Sequence, residues 1–251
     1  GGRGWRTPPA RGRGRSGRAG APGARSAASR AAAAATSCRR GGLRGRWAAA
    51  PLASPNNPTG NIATESQIRS ILDTGIIVVV DEAYYEFCGE TALPLLEEYS
   101  NLVVLRTFSK WAGLAGLRVG YGAFPVGLLK ELWKIKQPYN VSVAATEAAL
   151  VSLADSSNLL QVVSEIRLER KRLSQMLGGL PFVFPYPSQG NFVLCQVKGI
   201  SASGLHQDLS AEGILVRYFD KPRLRDHVRI SVGLPQHTDI LATVLSRIFN
   251  E

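Results

Sequence analysis

Cysteine, histidine and methionine are scarce: three Cys, three His and one Met in 251 residues. Cys38, Cys88 and Cys195 show neither paired nor metal-type spacing, so reduced thiols are expected rather than a disulfide framework or a zinc site. His206, His227 and His237 are equally scattered and read as surface or packing residues, and no metal-ligand set is expected. Long apolar runs are missing too. The longest β-branched run is Ile76 to Val80, far short of the roughly 20 residues a membrane-spanning helix needs, so the chain reads as soluble with no membrane partner. Residues 1–50 lack both acid and lysine but hold 12 arginines. A net charge of +11 suggests nucleic acid at first sight. The rest of the chain, however, carries 18 basic against 19 acidic residues, a net of −1. The basicity belongs to a tail, and no nucleic-acid partner is expected for the globular part.

Residues 1–53 are rich in Gly, Arg, Ala, Ser and Pro, with a run from Ala31 to Ala35, and should not fold alone. An Arg- and Ser-rich, acid-free N-terminus has the composition of an organelle transit peptide. The start at Gly1 rather than Met fits a fragment or mis-joined gene equally well. An Arg-rich RNA-binding arm is a third reading, weakened by aromatics limited to Trp5 and Trp47.

From Ser54 the character changes. Ser54-Pro55-Asn56-Asn57-Pro58-Thr59-Gly60 is a dense turn signal. Helical spacing follows from Thr64, a plausible N-cap, to Leu72. Residues 76–80 and 102–105 are short, continuous and apolar, the pattern of strands buried on both faces in a parallel sheet, and 119–124 reads as a third. Helices are predicted at 128–136, 142–153 and 159–177. Beyond Gly179, strands are expected at 192–195, 214–217 and 228–232, with helices at 203–211 and 237–249. The fold class is therefore α/β: a mostly parallel sheet in residues 54–156, then an α+β small domain in residues 157–251.

Three features fall at the carboxyl ends of predicted strands, where open α/β sheets place ligands. Asp81, followed by Tyr84, closes the first strand. A carboxylate there is costly unless paired, and a protonated pyridine nitrogen is one partner; capping the next helix is the commoner fate. Thr107-Phe108-Ser109-Lys110 follows the second strand. Its lysine can lose a proton and attack an aldehyde, and its hydroxyls suit a phosphate, although most loop lysines are simply exposed. Gly113 to Tyr121 is glycine-rich and carries Arg118, a fork suited to phosphate.

In order and spacing, Asn57-Pro58-Thr59-Gly60, Asp81 with Tyr84, Ser109-Lys110 and Arg118 resemble the signature of the class I/II aminotransferases. The resemblance implies part of a fold-type I large domain that binds pyridoxal 5′-phosphate. It implies that Lys110 holds the cofactor as a Schiff base and moves the proton, and that Asp81 pairs with the ring nitrogen. Asn57 and Tyr84 would bond the ring oxygen, and Thr107, Ser109 and Arg118 the phosphate. Arg229, in Val228-Arg229-Ile230-Ser231, matches the arginine that binds the substrate carboxylate.

Within the class, residues 54–249 are similar to the histidinol-phosphate aminotransferase family, most of all its plastid-targeted plant members. The carrying segments are Arg106 to Lys110, Ala112 to Gly122, Lys136 to Val141 and Tyr186 to Phe192. Arg217 matches a residue contacting the substrate phosphate, which would select a phosphorylated side chain. The implied reaction converts imidazole acetol phosphate and glutamate to histidinol phosphate and 2-oxoglutarate, in histidine biosynthesis. A homodimer and a plastid location are implied as well, with the cytoplasm as the other location. An aromatic or broad-range aminotransferase, or an inactive truncated remnant, are the alternative readings. The resemblance begins at Ser54, so the chain is expected to be N-terminally incomplete. Gly190 stands where the family usually has Ala.

Overall fold

The computed structural model describes residues 49–250. The rest of the Arg-rich tail, with Cys38, lies outside the described residues. Two four-stranded sheets organise the chain.

The first sheet has the order β1 (Ala49–Ala53), β2 (Ile77–Asp81), β3 (Leu102–Thr107), β4 (Gly120–Ala123). The first three strands run parallel. Helix α1 (Glu65–Leu72) returns the chain from β1 to β2. It starts as the sequence predicts: Thr64 accepts from Gln67 N, and Gln67 reaches back to Thr64 N. Its Ile68, Ile71 and Leu72 pack on Leu52, Val78, Val80, Leu102 and Val104 of the sheet. A short helix α2 (Tyr85–Cys88) follows β2 and ends at Gly89, whose φ of 79° is left-handed.

Two strand readings change here. Ala49–Ala53, placed by composition in the unfolded tail, is strand β1, because its backbone pairs with Ile77–Asp81 whatever its side chains are. Residues 119–124 do not form a third parallel strand: β4 is antiparallel to β3 and largely exposed. Residues 108–119 connect the two with only a three-residue helical turn, too little for the crossover a parallel neighbour requires.

Helices α3 (Val126–Ile135), α4 (Val143–Ala154) and α5 (Ser156–Gly178) lead to the second sheet. Its order is β5 (Val183–Pro185), β6 (Phe192–Val197), β8 (His227–Ser231), β7 (Arg217–Tyr218), antiparallel throughout. Helices α6 (Ala202–Ala211) and α7 (Pro235–Asn250) cover one face. Leu173, Leu177, Val193, Cys195, Leu205, Leu209, Val228 and Leu245 form that core. The strand expected at 214–217 shrinks to Arg217–Tyr218: Ile214 and Val216 pack on the core without pairing, and Leu215 is 85% exposed. No described helix is long and apolar enough to cross a membrane.

Two further contacts join the sheets. Gln189 N donates to Gly60 O at 2.7 Å. From α5, Arg170 Nη1 donates to Phe87 O (3.3 Å) and Gly190 O (2.7 Å).

Candidate active site

The carboxyl ends of β2 and β3 open onto a cavity of about 580 Å³, lined by Asp81, Ala83, Thr107, Ser109, Lys110 and Arg118 among others. Alternation along the strands explains the set. Val78, Val80, Leu102 and Val104 fill the core, so their neighbours Asp81, Leu105 and Thr107 face the opposite side. Asp81 Oδ1 accepts from Ala83 N at 3.0 Å, which also caps the turn into α2. Thr107 Oγ1 accepts from Ser109 N (3.0 Å) and lies 2.9 Å from Ser109 Oγ. The hydroxyls are thus gathered in one corner. Arg118 is the one described non-glycine residue at positive φ, 54°, and its Nη1 donates to Ala115 O at 3.0 Å. A non-glycine residue held in this region costs of order 1 kcal/mol, a strain found most often at ligand sites.

A second chain of contacts runs beside the cavity. Arg229 Nη1 donates to Asn57 Oδ1 at 2.6 Å, and Asn57 Nδ2 reaches Tyr84 Oη at 3.5 Å. Lys110 Nζ stands 5.7 Å from the centre of the Tyr84 ring and so links the two groups. Phe192 supports them: its ring meets Tyr84 edge-on at 5.2 Å, and Arg229 lies 5.0 Å over it. Burial pushes the Tyr84 phenol above its ordinary value; the Arg229 charge opposes this and Asp81 adds to it.

The structure thus brings together Asp81, Thr107, Ser109, Lys110 and Arg118 in one cavity, and Asn57, Tyr84 and Arg229 beside it. Arg217 does not reach the cavity. It sits directly opposite Arg229 across β7 and β8, and its guanidinium rests 5.6 Å from the Phe219 ring. Like charges opposite one another on neighbouring strands repel, so an anion between them would be stabilised.

Two groups escaped sequence reasoning. Glu82, 1% exposed, binds Arg106 across the strand ends and also accepts from Thr91 and Ala92 N. Extending the parallel register from Val80 opposite Val104 by two residues would have paired them. Arg170 is the other, and no local signal marks it. Among the described residues no cluster of His, Cys, Asp and Glu is arranged to hold a metal ion.

The donor set fits a planar, phosphorylated aldehyde: an amine, a carboxylate, two adjacent hydroxyls and a guanidinium around one cavity. Comparison with known proteins agrees. Residues 51–245 match the family described as aminotransferase class I and II. Histidinol-phosphate aminotransferase 1, chloroplastic, of Arabidopsis thaliana is 49% identical over 200 residues, which cover 79% of this chain and 48% of the relative. The chain therefore spans about half the length of the curated relatives it matches. Among solved structures, the histidinol-phosphate aminotransferase of Clostridium acetobutylicum superposes with a TM-score of 0.74 at 25% identity, covering 80% of this chain and 64% of that one. The Sinorhizobium meliloti histidinol-phosphate aminotransferase, solved in complex with pyridoxal-5′-phosphate, gives 0.71 at 31% identity, over 80% and 57% of the two chains. With the family match spanning most of its length, this chain belongs to the class I and II aminotransferases.

Proposed function

We propose that this chain forms the lysine-bearing half-site of a pyridoxal phosphate-dependent histidinol-phosphate aminotransferase, moving an amino group from glutamate to imidazole acetol phosphate. The observation that carries the reading is Lys110 sharing one cavity with Asp81, Thr107, Ser109 and Arg118. Pyridoxal phosphate supplies an aldehyde that accepts amino groups and a ring that withdraws electrons from the bond being broken. Lys110 would hold that aldehyde through its amine and, once displaced, move the proton at the substrate α-carbon. Asp81 would keep a proton on the ring nitrogen. Asn57 and Tyr84 would orient the ring through its oxygen, and Thr107, Ser109 and Arg118 would bind the phosphate. Arg229, already hydrogen-bonded to Asn57, would fix the carboxylate of glutamate, and Arg217 the phosphate of the other substrate.

A broad-range or aromatic aminotransferase is the second reading, favoured by one observation: Arg217 lies over Phe219 rather than in the cavity. The working enzyme is proposed to be a homodimer with about half its length contributed by sequence beyond this chain's match. Its proposed location is the plastid, on the acid-free N-terminus and the chloroplastic relatives. The large domain is proposed to end near residue 156 and the small domain to follow. The deciding experiment is borohydride trapping of pyridoxal phosphate followed by peptide mapping. Label should sit on Lys110 and vanish in Lys110→Ala; label persisting on another lysine would overturn the assignment.

A further inference from the structure

At the edge of the cavity, which Arg106 itself helps to line, Glu82 and Arg106 form a closed network that the proposed chemistry does not use. Arg106 Nε and Nη2 both reach Glu82 Oε2, at 3.0 and 2.9 Å. Thr91 Oγ1 donates to the same carboxylate at 2.8 Å and accepts from Arg106 Nη2 at 2.9 Å. Ala92 N donates to Glu82 Oε1 at 2.6 Å, and the guanidinium carbon lies 3.5 Å from the centre of the Tyr85 ring. Burial disfavours the Arg106 charge, but Tyr121 and Glu82 more than compensate and raise its pKa.

Its placement is what matters. The last backbone bond between β2 and β3 is Glu82 N to Leu105 O, 2.8 Å. Past it the chains separate: one turns into α2, while the other continues to Lys110. The Lys110 segment is fastened to its β4 side by Phe108 N donating to Val119 O at 3.2 Å. Toward β2 and Asp81, the side-chain pair is the fastening. Asp81 immediately precedes Glu82, and Lys110 lies four residues beyond Arg106.

We infer that the Glu82–Arg106 pair is a positioning device that fixes the spacing of Asp81 and Lys110 by tying together the ends of their two strands. This rests on the proposed role of Lys110. A buried ion pair is weak evidence for stability, because desolvation offsets its attraction, but a fully hydrogen-bonded one specifies geometry. Arg106 and Glu82 act through the strand ends and touch no reacting atom.

The test uses the full 251-residue chain with pyridoxal phosphate as probe, trapped by borohydride across a pH series and mapped over its seven lysines. In the unchanged chain the label should concentrate on Lys110. Glu82→Gln keeps the size and one acceptor but removes the charge; Arg106→Lys keeps the charge but removes the fork. Each should lower the Lys110 share by roughly tenfold, the effect of losing one hydrogen bond to a charged group, and shift the pH of half-trapping. Label on Lys130 and Lys171 should not change. The double variant Glu82→Gln/Arg106→Gln should be no worse than Glu82→Gln, since both break one unit. An unchanged Lys110 share and pH profile in variants that keep their circular dichroism would overturn the inference. Should Arg106→Lys fail to fold, the near-isosteric Glu82→Gln decides. Absence of any preference for Lys110 in the unchanged chain would instead overturn the proposed function, and this inference with it.

Discussion

Arg229 donates a 2.6 Å hydrogen bond to Asn57, across 172 residues of chain, and so ties the second sheet to the turn that precedes α1. The bond places a guanidinium within one side chain of Tyr84. Charge-assisted bonds of this kind contribute about 1.5–3 kcal/mol. In an enzyme completed to the length of its relatives, Asn57→Ala should therefore raise the KM for glutamate by roughly tenfold or more. Arg229→Lys should do the same, because an ammonium cannot reproduce the fork. Steady-state kinetics of the glutamate half-reaction is the check; an unchanged KM in both variants would remove Arg229 from the carboxylate site.

Arg217 faces Arg229 across the strand pair and rests over Phe219. In the same completed enzyme, Arg217→Ala should damage turnover of the phosphorylated substrate by about 10- to 100-fold, the worth of a charge-assisted contact to phosphate. The glutamate half-reaction should change far less. Equal losses in both half-reactions would assign Arg217 a structural role and favour the broad-range reading.

Glu86, in α2, has its pKa pushed up to about 7, first by burial and then by the negative charge of Glu82, with Arg106 opposing. Its folded value lies above the ordinary carboxylate value, so folding favours the protonated form. Its contribution to stability is fully present below about pH 4.5 and is lost as pH rises through 7. Glu86→Gln should accordingly match the unchanged chain at pH 5 and melt at a higher temperature at pH 8. Thermal unfolding followed by circular dichroism at the two pH values reads this directly. A melting difference independent of pH would show that Glu86 does not titrate in this range.

Gly60 has a φ of +74°, and a Cβ there would come within 2.3 Å of Ser188 Oγ and 2.9 Å of Ser188 Cα. Gly60→Ala should cost about 1–3 kcal/mol, combining left-handed strain with a backbone clash. It should also break the Gln189 N to Gly60 O bond, pushing the Asn57 turn off the 186–191 loop. Urea unfolding measures the cost. Addition of Ser188→Gly should recover only the part due to the side-chain clash.

Much of this molecule was legible along the chain because its signals are local. Thr64 capping Gln67 N, the turn at 55–60 and the apolar strands at 77–81 and 102–107 depend on neighbours a few residues away. Asp81 and Lys110 were legible for the same reason: each follows a strand whose apolar run marks a buried element, and such strands end at ligand sites. Strand direction was not legible. Residues 120–123 could have joined β3 either way, and it was the short connection that made them antiparallel. Ala49–Ala53 looked like tail because alanine carries little strand signal; its partner Ile77–Asp81 supplied the hydrogen bonds. Arg217 looked like the end of a strand and instead begins a two-residue one, since Ile214 and Val216 anchor in the core instead of pairing.

The sequence by itself determined the chemical inventory: a lysine, a carboxylate, hydroxyls and arginines at the ends of elements it also marked. Tertiary structure alone decided which of these meet. Arg229 reaches Asn57, Glu82 locks onto Arg106, and Arg170 spans Phe87 and Gly190, yet each residue looks like an ordinary charged side chain in its own segment. The physical reason is that charged groups are satisfied by whatever the fold brings within about 3 Å, and no local periodicity encodes a partner chosen by strand register and sheet docking.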